Sequence, residues 1–237
     1  MKTSRFGVLG LLASVLLAAC GQAISGDASQ PPAPAQATKV GFSGIHRVFD
    51  KPRLSDGRPL TLFVGGQFCP FCASMRWPVV KALSRFGTFS GLGQMQSRAG
   101  TDGFASIATY DFAHATYKSD LLTVHLVEAA DANGNPLQQP TGDDMELFNR
   151  FDPNGSIPFV FIAGTYVAQL PYSPQLLAGR SFDKIRDEVN AANPGDIGWT
   201  VDKEADAITA AICKVDGGDP ATVCQTPAMQ ALLDRMP

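Results

Sequence analysis

The sequence predicts an α/β fold, a central mixed sheet flanked by helices, carrying an insertion and a disulfide-stapled C-terminal helical extension. Three observations predict it. The apolar run Leu60 to Val64 leads through a glycine-bearing loop into a helix that opens on Cys69-Pro70-Phe71-Cys72. A second apolar run spans Leu121 to Val127, and a third, Phe159 to Ile162, is opened by Ile157-Pro158. Short apolar runs with few polar interruptions mark strands buried on both faces, whereas apolar residues at three-residue steps mark a helix face.

A chain of 237 residues, 45% hydrophobic and 17% charged, buries a sizeable core and fits one domain with decorations. Its formal net charge of −3 offers no attraction to a polyanion, so nucleic acid is not an expected partner. Residues 1–19 are set apart: Lys2 and Arg5 precede an apolar run from Phe6 to Ala19, the layout of a secretory signal, too short to favour a membrane-spanning helix. The cysteine that follows two alanines resembles a bacterial lipobox. That resemblance implies cleavage before Cys20 and a diacylglycerol on its sulfur; the alternative is an ordinary leader cut elsewhere, with Cys20 a plain cysteine. Residues 20–39, rich in Gly, Ala, Ser, Gln and Pro, read as a tether. Loss of Lys2 and Arg5 leaves 17 basic residues against 22 acidic ones, so the expected product is an acidic, extracytoplasmic body in the periplasm or at the cell surface.

The main domain is expected over 40–195 and the extension over 196–237. Ile45 to Phe49 reads as a leading strand or short helix, and Ser55-Asp56-Gly57 as a turn. After the strand at 60–64, Trp77, Val80, Leu83 and Phe86 recur at three-residue steps and predict a helix; Pro78 inside it predicts a bend or restart just beyond the thiols. Glycines near Gly87 and Gly91 end that helix. A strand near 92–96, a polar loop at 97–103, an edge strand at 107–112 and the strong strand at 121–127 follow, then a turn over Asp131 to Pro136 and a helix of about three turns from Gly142. Thr165 to Leu170 pairs back on the strand at 159–162 around Ala163-Gly164, with alanine unusual for such a turn. Ser181 caps a helix over 182–192; helix-like residues 205–213 and a last helix at 227–233 form the extension.

Two thiols three residues apart at a helix start reach each other across one turn. The N–H groups there lack intrahelical partners and favour an anion, so Cys69 is the candidate nucleophile and Cys72, inside the first turn, the candidate resolving thiol. A C-x-x-C is also half of many zinc sites, or an inert disulfide. No second C-x-x-C and no nearby histidine completes a ligand set here, so no metal and no other cofactor is expected. His46, His114 and His125 are scattered and receive no catalytic role. Of the three ways to pair four exported cysteines, only Cys69 with Cys72 and Cys213 with Cys224 is compatible with a functional C-x-x-C; Cys213 and Cys224, whose spacing carries no such turn, read as a structural staple, the alternative being a second redox pair that relays electrons to Cys69 and Cys72. Trp77 reads as core. Arg76 reads as a solvated charge, as an ion pair, or as a cation that turns back and lowers the thiol pKa. Pro158 is either an ordinary trans proline at a strand edge or a cis turn that exposes the polar backbone groups before it.

The order of these segments resembles thioredoxin-like proteins, with a long insertion before the proline hairpin. More narrowly, Phe68-Cys69-Pro70-Phe71-Cys72-Ala73 with Arg76-Trp77, the stretch Ala82 to Phe89, Ile157-Pro158-Phe159 and the tail from Thr209 to Cys224 resemble the thioredoxin-like family of domain of unknown function 929. The resemblance implies that Cys69 exchanges disulfides with cysteine-containing exported polypeptides or a redox partner protein. It also implies that Ile157 and Pro158 frame the substrate backbone. Phe68 and Phe71, beside the thiols, form an apolar collar suited to unfolded protein. Thioredoxin-like proteins often bury an acid six residues ahead of the first cysteine, and Phe63 stands there instead. The expected function is that of an extracytoplasmic thiol-disulfide oxidoreductase held at a membrane through Cys20. The alternative is a non-catalytic thioredoxin-like binding module or structural envelope lipoprotein.

Overall fold

The computed structural model describes residues 44–99, 104–169 and 172–237; the signal expected at 1–19 and the tether with Cys20 at 20–39 lie outside them. The described chain opens with strands β1 (Ile45–Arg47), β2 (Leu54–Ser55) and β3 (Arg58–Gly65), then helix α1 (Pro70–Leu83). Short strands β4 (Thr88–Ser90), β5 (Gly93–Gln96), β6 (Ala108–Asp111) and β7 (Thr116–Lys118) lead to β8 (Thr123–Glu128) and α2 (Gly142–Phe151). A hairpin of β9 (Phe159–Ile162) and β10 (Tyr166–Ala168) precedes α3 (Phe182–Val189), α4 (Asp196–Val215), α5 (Ala221–Cys224) and α6 (Pro227–Leu233).

β3 is the spine of a mixed sheet. β8 runs parallel to it, from Leu60 opposite Thr123 to Gly65 opposite Glu128, and β9 runs antiparallel on it, Leu62 opposite Phe161. β10 pairs with β9 and β1 closes that edge, so the leading segment is a strand rather than a helix. Side chains alternate across a strand, and here both faces are covered. Leu60, Leu62, Val64, Phe159 and Phe161 join Leu147 and Phe148 of α2 on one side. Phe63, Val160 and Ile162 pack on the other side with Met75, Val79 and Leu83 of α1 and with Ile208 and Ile212 of α4. This double burial is why β3 and β9 carry unbroken apolar runs.

α1 runs through Pro78 as one helix, so it does not restart there. Proline leaves the carbonyl four residues back without its helical donor. The Tyr172 hydroxyl supplies one, donating to the Ser74 carbonyl at 2.7 Å. Trp77 is core, as its spacing implied: it is buried, it donates from Nε1 to the Ala108 carbonyl at 3.1 Å, and its ring lies 4.7 Å from Tyr110 and 4.9 Å from Phe182.

The expected edge strand at 107–112 is instead half of a separate ribbon, β6 paired with β5, while β4 pairs with β7 in a second ribbon. Both ribbons belong to the insertion between α1 and β8. The β9–β10 turn takes Ala163 and Gly164 through positive φ, 48° and 69°, with the Thr165 N–H donating to the Ile162 carbonyl at 3.0 Å. α4 is a 20-residue helix, longer than the helix-like stretch at 205–213, and it packs along α1. Its early turns approach α3 so closely that a Cβ on Gly198 would lie 2.2 Å from the Glu188 carbonyl oxygen. The extension thereby contributes Ile208 and Ile212 of α4 to the main core.

Candidate functional site

The site forms where β3 ends and α1 begins. Gly65-Gly66 lets the chain leave the sheet under tight cover: a Cβ on Gly66 would lie 2.8 Å from the Phe68 ring and 3.1 Å from Cδ1 of Ile157. Cys69 is the residue that caps α1, with Pro70 at the first helical position. Its backbone N–H donates to the Gly66 carbonyl at 3.2 Å, and its Sγ accepts from the Cys72 N–H at 3.2 Å. A sulfur in the capping position meets donors that the helix cannot satisfy internally.

Cys69 and Cys72 are both free thiols, and they differ in environment. Cys69 is 6% exposed and Cys72 wholly buried. The Cys72 thiol, followed by the N–H groups of Cys72 and Phe71 and by the Arg76 charge, stabilises the Cys69 thiolate against burial and lowers its pKa to about 7. Burial pushes the Cys72 thiol well above its ordinary value, and the adjacent Cys69 adds to that rise. The arrangement has the chemistry that disulfide exchange requires, one thiol ionised near neutral pH and the other held as the thiol.

The Ile157 carbonyl oxygen lies 3.9 Å from the Cys69 Sγ, and the Ile157–Pro158 peptide is cis. Ile157 and Pro158 also line a cavity of about 410 Å³ together with Phe71, Phe151, Asp152, Asn154, Ser156, Phe159 and residues 167–169 of the β10 end. Phe71 thus forms a wall of that cavity, its ring 5.0 Å edge-to-face from Phe104. Phe68 sits instead over Gly66 with the Arg98 guanidinium 5.8 Å from its ring. Of the residues singled out from sequence, Cys69, Cys72, Phe68, Phe71, Ile157 and Pro158 come together here.

Cys213 and Cys224 do not join them; they are bonded to each other, with Cα atoms 5.5 Å apart, between the last turn of α4 and α5. Of the histidines, His46 and His114 are exposed, and His125 Nδ1 lies 2.8 Å from the Asp144 carboxylate. Among the described residues, no group of three or more His, Cys, Asp or Glu is placed to hold a metal ion, and no helix is long and apolar enough to cross a membrane.

Sequence reading missed Glu128. It ends β8, opposite Gly65, and both it and Arg76 are wholly buried. Arg76 Nε donates to Oε1 at 2.9 Å and Nη2 to Oε2 at 2.7 Å, while Nη2 also donates to the Gly66 carbonyl at 3.1 Å. Burial pushes the Glu128 carboxyl up and the adjoining guanidinium opposes that. Arg76 is therefore a buried ion pair rather than a solvated charge, and its guanidinium also favours the Cys69 thiolate. An acid at the very end of an apolar strand was the signal available in the sequence.

Residues 46–147 match the model of a domain of unknown function, DUF929. The DUF929 match begins in β1 and ends within α2. It takes in Cys69, Cys72, Arg76 and Glu128 and stops short of Ile157, Pro158, Cys213 and Cys224. No curated protein and no solved structure matches the chain.

Proposed function

We propose that the protein is a thioredoxin-like thiol-disulfide oxidoreductase, exported behind a signal at 1–19, anchored through a lipid on Cys20, and acting on cysteine-containing polypeptides outside the cytoplasm. The observation that carries this reading is the free Cys69 Sγ capping α1, 3.2 Å from the Cys72 N–H and 3.9 Å from the Ile157 carbonyl oxygen. In the oxidising direction, a substrate thiolate attacks one sulfur of the Cys69–Cys72 disulfide and forms a mixed disulfide through Cys69. A second substrate thiolate then displaces Cys69, leaving the substrate disulfide and the protein dithiol. In the reducing direction Cys69 attacks the substrate disulfide and Cys72 resolves the mixed disulfide. Two electrons and two protons pass in either case, and no metal or organic cofactor is required. The cavity beside Pro158, with aromatic walls at Phe71, Phe151 and Phe159, offers room for side chains flanking the substrate cysteine.

Trapping tests this directly. A Cys72→Ser variant cannot resolve a mixed disulfide, so expressed with its signal intact it is expected to accumulate reducible adducts through Cys69. A folded variant that accumulates none, with the Cys69 thiol still open to alkylation, would overturn the assignment.

One observation favours the second reading, a non-catalytic binding or structural envelope lipoprotein: Cys69 is only 6% exposed. In that case the reduced protein would resist iodoacetamide across the pH range. The exchange reading expects alkylation with a midpoint at about pH 7.

A further inference from the structure

We propose that the buried Arg76–Glu128 pair is the positioning device of the dithiol. Arg76 ties down the loop that presents Cys69 and sets a positive charge beside both sulfurs, and Glu128 holds the guanidinium in register. This rests on the exchange function proposed above and adds to it the residues that tune the site.

The geometry is that of a three-way tie. The Gly66 carbonyl accepts from Arg76 Nη2 at 3.1 Å and from the Cys69 N–H at 3.2 Å. Arg76 thus grips the same oxygen that shapes the turn before the thiol. The rest of its fork is bound bidentately by Glu128, whose own backbone N–H is fixed by the Gln138 side-chain oxygen at 2.8 Å. Loop, strand end and helix are locked through one guanidinium.

A buried ion pair is weak evidence for stability, because apolar residues of similar volume often replace one at little or no loss. Arg76 and Glu128 are nevertheless wholly buried, and Nη1 of Arg76 has no hydrogen-bond partner among the described residues. Phe63 and Phe112 flank the guanidinium with ring centres 5.8 and 5.7 Å away. A cation so enclosed by rings is little screened, and it acts on neighbours within reach. Arg76 stands one helical turn beyond Cys72, and its charge pulls both thiols toward the thiolate. Both carboxylate oxygens are engaged by Arg76, so Glu128 acts on the sulfurs through the arginine.

The test is the pH dependence of iodoacetamide alkylation of the reduced full-length chain, with cooperative melting as the check on folding. Replacing both partners by apolar residues, Arg76→Met with Glu128→Leu, is expected to raise the alkylation midpoint by about one pH unit. Glu128→Gln keeps an acceptor for the fork but removes the compensating negative charge, and is expected to lower the midpoint. A looser loop alone would not produce that opposed pair of shifts. Midpoints equal to wild type in both folded variants, or raised in both, would overturn the proposal. The exchange function itself fails separately, if the wild-type midpoint sits at the ordinary thiol value of about 8.5.

Discussion

Cys69 and Cys72 sit at the N-terminus of α1, whereas Cys213 and Cys224 join the C-terminal end of α4 to α5; the polarity of a helix sets the two pairs against each other. Free N–H groups carry partial positive charge at one end and free carbonyls partial negative charge at the other. Cys69 receives an N–H bond and gains acidity, while Cys213, in the last turn of its helix, is bonded to Cys224 and has no thiol to ionise. Spacing adds to the contrast. The first pair closes a single turn and constrains almost nothing in the unfolded chain, whereas the second is 11 residues apart and closes a loop. The same element is thus a free thiol pair at one site, where exchange is proposed, and a closed disulfide at the other.

The largest effect that could break the comparison is on turnover. Cys69→Ser is expected to abolish exchange with a fluorescent disulfide-linked peptide, and paired Cys213→Ser with Cys224→Ser to leave the rate unchanged at a temperature where the fold persists. If the second variant loses turnover while still folded, the two pairs communicate and the division between reagent and brace fails. Stability reverses the ranking. Loss of the Cys213–Cys224 bond is expected to lower the unfolding free energy by about 3 kcal/mol by loop closure, read from denaturant midpoints, whereas Cys69→Ser alters it far less.

How much of this was legible depended on whether the partner of each residue lay nearby in sequence. β3, β8 and β9 could be read because burial on both faces leaves unbroken apolar runs, and the Ala163-Gly164 hairpin because its turn is local. The capping position of Cys69 was legible for the same reason, since capping and the N-terminal field belong to one turn. The ribbons β4–β7 and β5–β6 were not fully read: Thr88–Ser90 and Thr116–Lys118 are three-residue polar strands whose pairing defines them. The start of α4 was hidden by Gly198 and by Trp199, which is 49% exposed and disrupts the apolar period. Arg76 and Glu128 lie 52 positions apart, and only the β3–β8 register brings them together. Sequence could place an arginine near the thiols and could not say what held it.

A smaller effect sharpens the contrast by loosening the platform of the first pair without touching a sulfur. Tyr172→Phe leaves the Ser74 carbonyl, freed by Pro78, without its 2.7 Å donor in the middle of α1. Loss of that hydrogen bond is expected to cost about 1 to 3 kcal/mol, since a buried acceptor is left unsatisfied. Cys213 and Cys224 should remain oxidised. Hydrogen exchange in α1 should quicken, and exchange at the C-terminal end of α4 should not; equal quickening at both ends would show that the two helices open as one unit.

The smallest effect guards the pH assignment. The pKa of His125 is raised, first by the hydrogen bond to Asp144, against burial, and further by the charges of Asp144 and Asp56. A raised folded-state pKa means that the protonated form is the better bound. The pair therefore contributes its full stability below the unfolded value of about 6.5 and loses it as pH rises through the higher folded value. The imidazole is 37% exposed, so solvent screening limits the contribution to a few tenths of a kcal/mol. His125→Asn should then lower stability slightly at pH 5.5, with a smaller loss at pH 8.5, as measured by urea midpoints. It should leave the alkylation midpoint of Cys69 where it was, because the histidine lies on β8 against α2 while the Cys69 thiolate is set by Cys72, Phe71 and Arg76. A midpoint that moves with His125 would transfer the neutral-pH titration from the helix terminus to the far side of the sheet, and with it the distinction between the two cysteine pairs.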